Sequence, residues 1–302
     1  MNALETRSLT KRYGRKTAVA ALDLTVPEGS ICAFLGPNGA GKTTTIQLLM
    51  NLQRADAGEA LVLGVPATRL GPREFAQIGY VSENQELPEW MNVDEFLAFC
   101  RPLYPTWDAA FEARLLKQFN LPLDRKLRHL SRGMKMKAAL LASLAYRPRL
   151  VVLDEPFSGL DPLVRDEFIR GLLELAGEGG WTLFISSHDI DEVERLADRV
   201  AILDDGKLRV NESAESLQAR FRKVVVNLPR AVPPIATPPP GWLHVETSGA
   251  HLQFIATNFQ PGALEAEVRE RLSPQADVTA TAMTLREIYL AHARTFAAKE
   301  GI

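Results

Sequence analysis

Over roughly the first 210 residues, short unbroken apolar runs alternate with stretches whose apolar positions recur every three or four residues. SICAFLG (30–36), RLVVLDE (149–155), WTLFISSH (181–188) and RVAILDDG (199–206) are apolar along most of their length rather than at every second position. Strands of that kind are covered on both faces, so the pattern predicts an α/β domain built on a largely parallel sheet. KTTTIQLLMNL (42–52) reads as the helix after the first strand, and DIDEVERLA (189–197) as a helix between the last two.

Between about 87 and 147 the strand pattern stops. NVDEFLAFCR opens with Asn92 and Glu95 at capping-box spacing and places Val93, Phe96, Leu97 and Cys100 on one face. Residues 110–119 and 131–146 continue in that manner, which predicts a helical subdomain inserted into the α/β core. Six prolines between 229 and 240 then exclude helix and central strand, and mark a linker or an irregular edge. Around them KVVVNL (223–228) reads as a strand, and WLHVETSGAHLQFIAT (242–257) as a hairpin turning near Ser248-Gly249. Helices over 262–272 and 284–296 flank a last short strand, DVTATA (277–282). The expected domains are 1–215, with the helical subdomain at about 87–147, and a small α+β accessory domain at 222–302.

Charge and cysteine content narrow the class. A net charge of -2 gives no global field to recruit nucleic acid, although Arg125, Lys126, Arg128, Arg132, Lys135 and Lys137 form a local basic stretch. That stretch is either a solvated helix face or a phosphate-facing one. Cys32 and Cys100 lie in apolar contexts, as buried reduced thiols do, without disulfide or metal spacing. The longest nearly apolar run, 138–146, has nine residues, whereas a membrane-spanning helix needs about 20. The amino-terminal stretch is polar and lacks the apolar core of a signal peptide. A cytoplasmic chain is expected, reaching any membrane through a partner.

GPNGAGKT spans Gly36, Pro37, Asn38, Gly39, Ala40, Gly41, Lys42 and Thr43, with Thr44 next, and matches the phosphate-loop pattern G-x-x-x-x-G-K-[ST]. Glycines let backbone N–H groups face phosphate oxygens at a helix N-terminus. Lys42 adds charge at the β- and γ-phosphates, and the Thr43 hydroxyl can ligate Mg²⁺. The motif follows a predicted strand and opens a predicted helix, which is the context it requires. LVVLDE ends a strand on Asp154 and Glu155. An aspartate there can hold Mg²⁺, and the adjacent glutamate can deprotonate or orient a water. Together these elements predict an ATPase with ATP and Mg²⁺ as cofactors.

Leu130-Ser131-Arg132-Gly133-Met134, starting 24 residues before Asp154, resembles the LSGGQ signature of ABC (ATP-binding cassette) proteins. It departs from that signature at Arg132 and Met134 and keeps Ser131 and Gly133. The resemblance covers residues 1 to about 210 and implies further roles. Tyr13 resembles the aromatic residue that stacks on adenine. SGLD (158–161), with Asp161, resembles the loop that touches the opposite subunit. His188 resembles the switch histidine that senses the γ-phosphate beside the catalytic Glu155. Glu83 stands where the family commonly has a metal-contacting glutamine, with Gln85 two residues on, and a carboxylate there would put three acids near one metal.

In that family each nucleotide lies between the phosphate loop of one subunit and the signature of another. The resemblance therefore implies a homodimer or heterodimer of ATPase subunits. The LSxGM form and the C-terminal extension resemble the type-2 ABC export branch. This implies ATP-driven export through a separate integral membrane permease, with the chain peripheral at the inner face of the cell membrane. No nucleic acid and no direct membrane insertion are expected. The alternative is a soluble ABC ATPase acting on the ribosome or DNA; its relatives usually carry two cassettes or a long coiled coil, and neither occurs here. A ligand-sensing role for the C-terminal domain is compatible with export.

Overall fold

The computed structural model describes residues 1–177 and 180–299, which divide into two units, Met1–Asn211 and Glu212–Ile302. In the first unit the chain opens with three antiparallel strands, β1 (Asn2–Tyr13), β2 (Lys16–Leu22) and β3 (Thr25–Pro27). The buried strand β4 (Ile31–Leu35) runs into the loop before helix α1 (Lys42–Leu49). Strands β5 (Ala57–Val62) and β6 (Val65–Pro66) return to β1 and complete a five-stranded antiparallel sheet, ordered β2-β1-β5-β6 with β3 also on β1. This sheet is additional to the parallel one the apolar runs predict. Register shifts interrupt β1 near Leu9, Lys11 and Thr10, so its polar and apolar residues never alternate long enough to read as a strand.

A single turn, α2 (Pro72–Phe75), leads to β7 (Ile78–Val81). Then come α3 (Val93–Cys100), α4 (Ala109–Phe119) and α5 (Arg132–Leu144). The capping box forms as its spacing predicts: Glu95 N–H donates to Asn92 Oδ1 at 2.8 Å and Asn92 N–H to Glu95 Oε2 at 2.7 Å. The unit closes with β8 (Leu150–Asp154), α6 (Pro162–Gly177), β9 (Thr182–Ser187), β10 (Arg199–Asp204) and β11 (Lys207–Ser213).

The second sheet has the order β11-β10-β4-β9-β8-β7, and its neighbours from β10 to β7 are all parallel. Every residue of β8 and β9 is buried, which is why these strands are apolar throughout. Because β4, β7, β8 and β9 run in one direction, the loops that follow them open on one edge, where ligands of such sheets bind. DIDEVERLA departs from its expected helix. It forms a 3-10 turn at Ile190–Glu192 and then irregular turns, because Glu192 is turned inward onto Ser187 and Val193 leaves helical geometry at φ -123°.

The second unit holds α7 (Ala214–Arg220), β12 (Arg222–Asn227), β13 (Trp242–Ser248), β14 (His251–Ala256), α8 (Ala263–Arg271), β15 (Asp277–Ala282) and α9 (Leu285–Lys299). Its antiparallel sheet is ordered β13-β14-β12-β15. Strand order and connection match the ferredoxin-like β-α-β-β-α-β unit, with the proline-rich stretch standing in for the first helix. It has its own core, in which Val224, Val226, Phe254, Leu264 and Val268 pack with Trp242. The Trp242 and Phe254 rings stack at 3.8 Å.

Candidate functional site

The loop between β4 and α1 curls around its own lysine. Gly41 caps α1 at φ 106°, and a Cβ there would lie 2.2 Å from the Ala18 carbonyl oxygen, so only glycine fits. The Lys42 side chain is 5% exposed. Its ammonium donates to the Gly36 carbonyl at 2.7 Å and the Pro37 carbonyl at 3.3 Å, and pairs with Glu155 Oε1 at 3.1 Å. Burying an ammonium this deeply is costly unless such partners compensate it.

Asp154 ends β8 and Glu155 follows it, and the two carboxylates have separate partners. Asp154 Oδ1 accepts from Ser186 Oγ at 2.6 Å and from Thr43 Oγ1 at 3.3 Å. Burial pushes its carboxyl above the ordinary range, while the two hydroxyls and Lys42 pull it back. Glu155 is 6% exposed and sits at φ 50°, a left-handed conformation unusual for a side chain of this size. Such backbone geometry persists where surroundings over-determine it, commonly at functional sites. The Glu155 N–H donates to Ser186 Oγ at 2.9 Å, and Oε2 lies 2.8 Å from His188 Nδ1. Glu155 thus bridges the lysine of the loop to the histidine after β9.

Lys42, Thr43 and Glu155 border a cavity of about 290 Å³, whose other lining residues are Tyr13, Lys16, Ala18, Asn38, Gly39, Gly41, Thr44 and Glu83. The Tyr13 ring is half exposed; its hydroxyl donates to Gln53 Oε1, and the Lys11 ammonium lies 5.5 Å from the ring centroid. Glu83 lines the cavity and Gln85 does not; the Gln85 side chain accepts from the Ser82 N–H at 3.3 Å. Gly36, Pro37 and Ala40 shape the loop from behind, Ala40 N–H donating to the Pro37 carbonyl at 3.1 Å.

The remaining candidates lie elsewhere. Ser131 caps α5, its Oγ accepting from Met134 N–H at 3.2 Å. Gly133 is buried against Val164. Asp161 Oδ1 accepts from the Leu163 and Val164 N–H groups at 3.1 Å each. None of Ser131, Gly133 and Asp161 lines the cavity.

The donor set suits a hard cation, with Thr43 Oγ1 beside Asp154 Oδ1 and Glu83 at the same cavity. Among the described residues no three acids, histidines or cysteines gather tightly enough to hold a metal alone. The expected three acids around one metal are therefore not assembled here. Lys42 and His188 engage Glu155, while Ser158 and Arg132 engage Glu83. An incomplete cage of this kind fits Mg²⁺, which keeps its waters and phosphate ligands and takes one or two carboxylates.

Ser186 and Lys16 were invisible as candidates in the sequence. The signal for Ser186 is a hydroxyl at the carboxyl end of a strand beside the one ending in Asp154, and it has meaning only once β8 and β9 are neighbours. Cys32 and Cys100 are buried thiols, which burial pushes up to about 12 and about 11.

Residues 19–158 match the ABC transporter family. The daunorubicin/doxorubicin resistance ATP-binding protein DrrA of Streptomyces peucetius is 34% identical over 231 residues, covering 75% of this chain and 70% of that protein. The sulfate/thiosulfate import ATP-binding protein CysA of Methylococcus capsulatus is 34% identical over 224 residues, covering 71% and 64%. A solved structure of an ATP-binding subunit of an ABC transporter superposes with TM-score 0.64 at 28% identity, covering 72% of this chain and 92% of that one.

Proposed function

The chain belongs to the ABC transporter family as an ATP-binding, ATP-hydrolysing subunit, and from that premise we propose that it works as a head-to-tail pair driving export through a separate membrane permease. The observation that carries this is the half-built pocket. The loop, Tyr13, Glu83 and Glu155 line it, with His188 behind Glu155, while Ser131, Gly133 and Asp161 line no part of it. A second chain supplies the signature end of α5, so the nucleotide lies at an interface. In a homodimer a two-fold axis makes two equivalent sites.

The residues divide the work by position. Tyr13 offers its face to the adenine. N–H groups at the start of α1 and the Lys42 ammonium take the triphosphate. Once Lys42 turns to phosphate, Glu155 Oε1 is released toward the attacking water and accepts its proton. His188 holds the other oxygen and so keeps the carboxylate aimed. Thr43, Asp154 and Glu83 would hold Mg²⁺, which would supply charge neutralisation for the triphosphate.

At equal identity one relative is named for drug resistance and the other for import, so neither fixes the direction of transport for this chain. Export is supported by the LSRGM signature and the C-terminal extension, which together resemble the type-2 export branch. Within this proposal the chain lies at the cytoplasmic face, and α3, α4, α5 and the Glu83 loop grip the permease. Neither named relative lends support to action on ribosomes or DNA.

The test is Glu155→Gln. Its hydrolysis is expected to fall by about 10²–10⁴-fold with ATP binding intact, and ATP should convert it to a dimer on size exclusion. Turnover near the wild-type rate, or a chain that stays monomeric with ATP bound, overturns the proposal.

A further inference from the structure

Two of the three places where this chain departs from the common ABC pattern, Glu83 and Arg132, touch each other. Glu83 replaces the usual glutamine and Arg132 the usual glycine of the signature, 49 residues apart in sequence. In the fold Arg132 Nη2 lies 3.5 Å from Glu83 Oε1. The same oxygen accepts from Ser158 Oγ at 3.0 Å. The Arg132 guanidinium lies against Gly159, where a Cβ would come within 2.7 Å of Nη1, and Gly159 has φ 69°. A glycine there both permits the left-handed turn and leaves the guanidinium its seat. One carboxylate thus joins the loop after β7, the segment after β8 and the first turn of α5, while also lining the nucleotide cavity.

We propose that Arg132 is a positioning residue for Glu83: it holds the carboxylate at the cavity rim until Mg²⁺ and ATP take it, and this exchange sets the metal dependence of nucleotide binding. The inference rests on Glu83 being a Mg²⁺ ligand. The side chains are 48% and 36% exposed, so the pair is screened by water and easily broken, as an exchangeable contact must be.

The electrostatics give the signs. Without metal, Arg132 neutralises a carboxylate that would otherwise repel the triphosphate. With metal, Glu83 turns to the cation and Arg132 loses its partner, so part of the metal's attraction is spent in separating them. Removing Arg132 should therefore weaken metal-free binding and tighten metal-loaded binding. Removing the Glu83 charge should do the reverse. In the head-to-tail pair the exchange also frees the first turn of α5, the part that serves the other chain's nucleotide, so filling one site prepares the second.

The experiment measures equilibrium binding of the non-hydrolysed analogue adenylyl imidodiphosphate to the full chain, in EDTA and in MgCl₂. The readout is the ratio of the two affinities. Arg132→Gln is expected to raise that ratio by about two- to fivefold, the range an exposed ion pair can carry. Glu83→Gln should lower it by a similar factor, and Arg132→Lys should stay near wild type. In the Glu83→Gln background Arg132→Gln should be silent. A ratio unmoved by Glu83→Gln sinks the metal-ligand assignment itself. If Glu83→Gln acts but Arg132→Gln does not, the assignment stands and the role of Arg132 is wrong. An effect of Arg132→Gln that persists without Glu83, or that weakens binding equally in both conditions, shows a cation acting on the nucleotide directly and overturns the proposal.

Discussion

Two positions separate Glu83 from Gln85, and the difference decides which of them lines the cavity. A loop has no periodicity, so its register cannot be read from apolar positions. The pairing of β7 with β8 fixes it: Val81 lies opposite Leu153, the strand ends there, and Glu83 turns into the cavity. Gln85 instead borders hollows lined by Trp90, Lys135 and Tyr104. Glu83→Ala is expected to lower the apparent Mg²⁺ affinity in hydrolysis by at least about tenfold, the low end for disturbing a metal site. Gln85→Ala should leave it unchanged. Titrating hydrolysis against Mg²⁺ for both variants decides it, and a response confined to Gln85 would move the metal contact two residues along the loop.

Elements bring these residues together through the order of the parallel sheet. β9 lies between β4 and β8, so its end delivers Ser186 and His188 between the phosphate loop and Asp154-Glu155. In the second unit a different element carries a titration. His292 on α9 faces Arg220, Glu212 and His244 and packs its ring at a tilt against Phe221, with ring centroids 5.4 Å apart. Burial, with Arg220 adding to it, lowers its pKa from 6.5 to about 4. The folded chain therefore refuses a proton that the unfolded chain accepts between those values, and stability falls as pH drops below 6.5. The loss is at most about 1.4 kcal/mol for each pH unit, reduced by solvent screening. Urea unfolding from pH 7 to pH 4.5 should show this slope in the second unit, and His292→Gln should flatten it. An unchanged slope in that variant would assign the proton uptake to another group.

For the molecule as a whole, each unit carries its own core, and all the candidate catalytic and nucleotide residues lie in the first. No helix among the described residues is long and apolar enough to cross a membrane. A chain ending at Ser213, which keeps β11 whole, is expected to bind ATP with an affinity within a few-fold of the full chain. Fluorescence titration on a truncation shown to be folded by circular dichroism tests this. Loss of binding in the folded truncation would make the second unit part of the nucleotide site.

Where chemistry is local, the sequence alone determined it. The phosphate loop must be contiguous because one stretch of backbone curls around one phosphate chain. Its glycines and Lys42 are therefore legible without any structure, as is the capping box at Asn92 and Glu95. Strands buried on both faces announce themselves as unbroken apolar runs, and Asp154 and Glu155 are marked by closing one. The rest depends on contacts between distant residues. Ser186 matters because β8 and β9 are neighbours, and Glu83 rather than Gln85 reaches the cavity because of where β7 stops. Bulges hid the antiparallel sheet around β1, and a buried Glu192 turned an amphipathic stretch away from helix. The contact between Glu83 and Arg132 joins residues with no local relation, and only the packing of α5 beside the loop after β7 could bring their charges within reach.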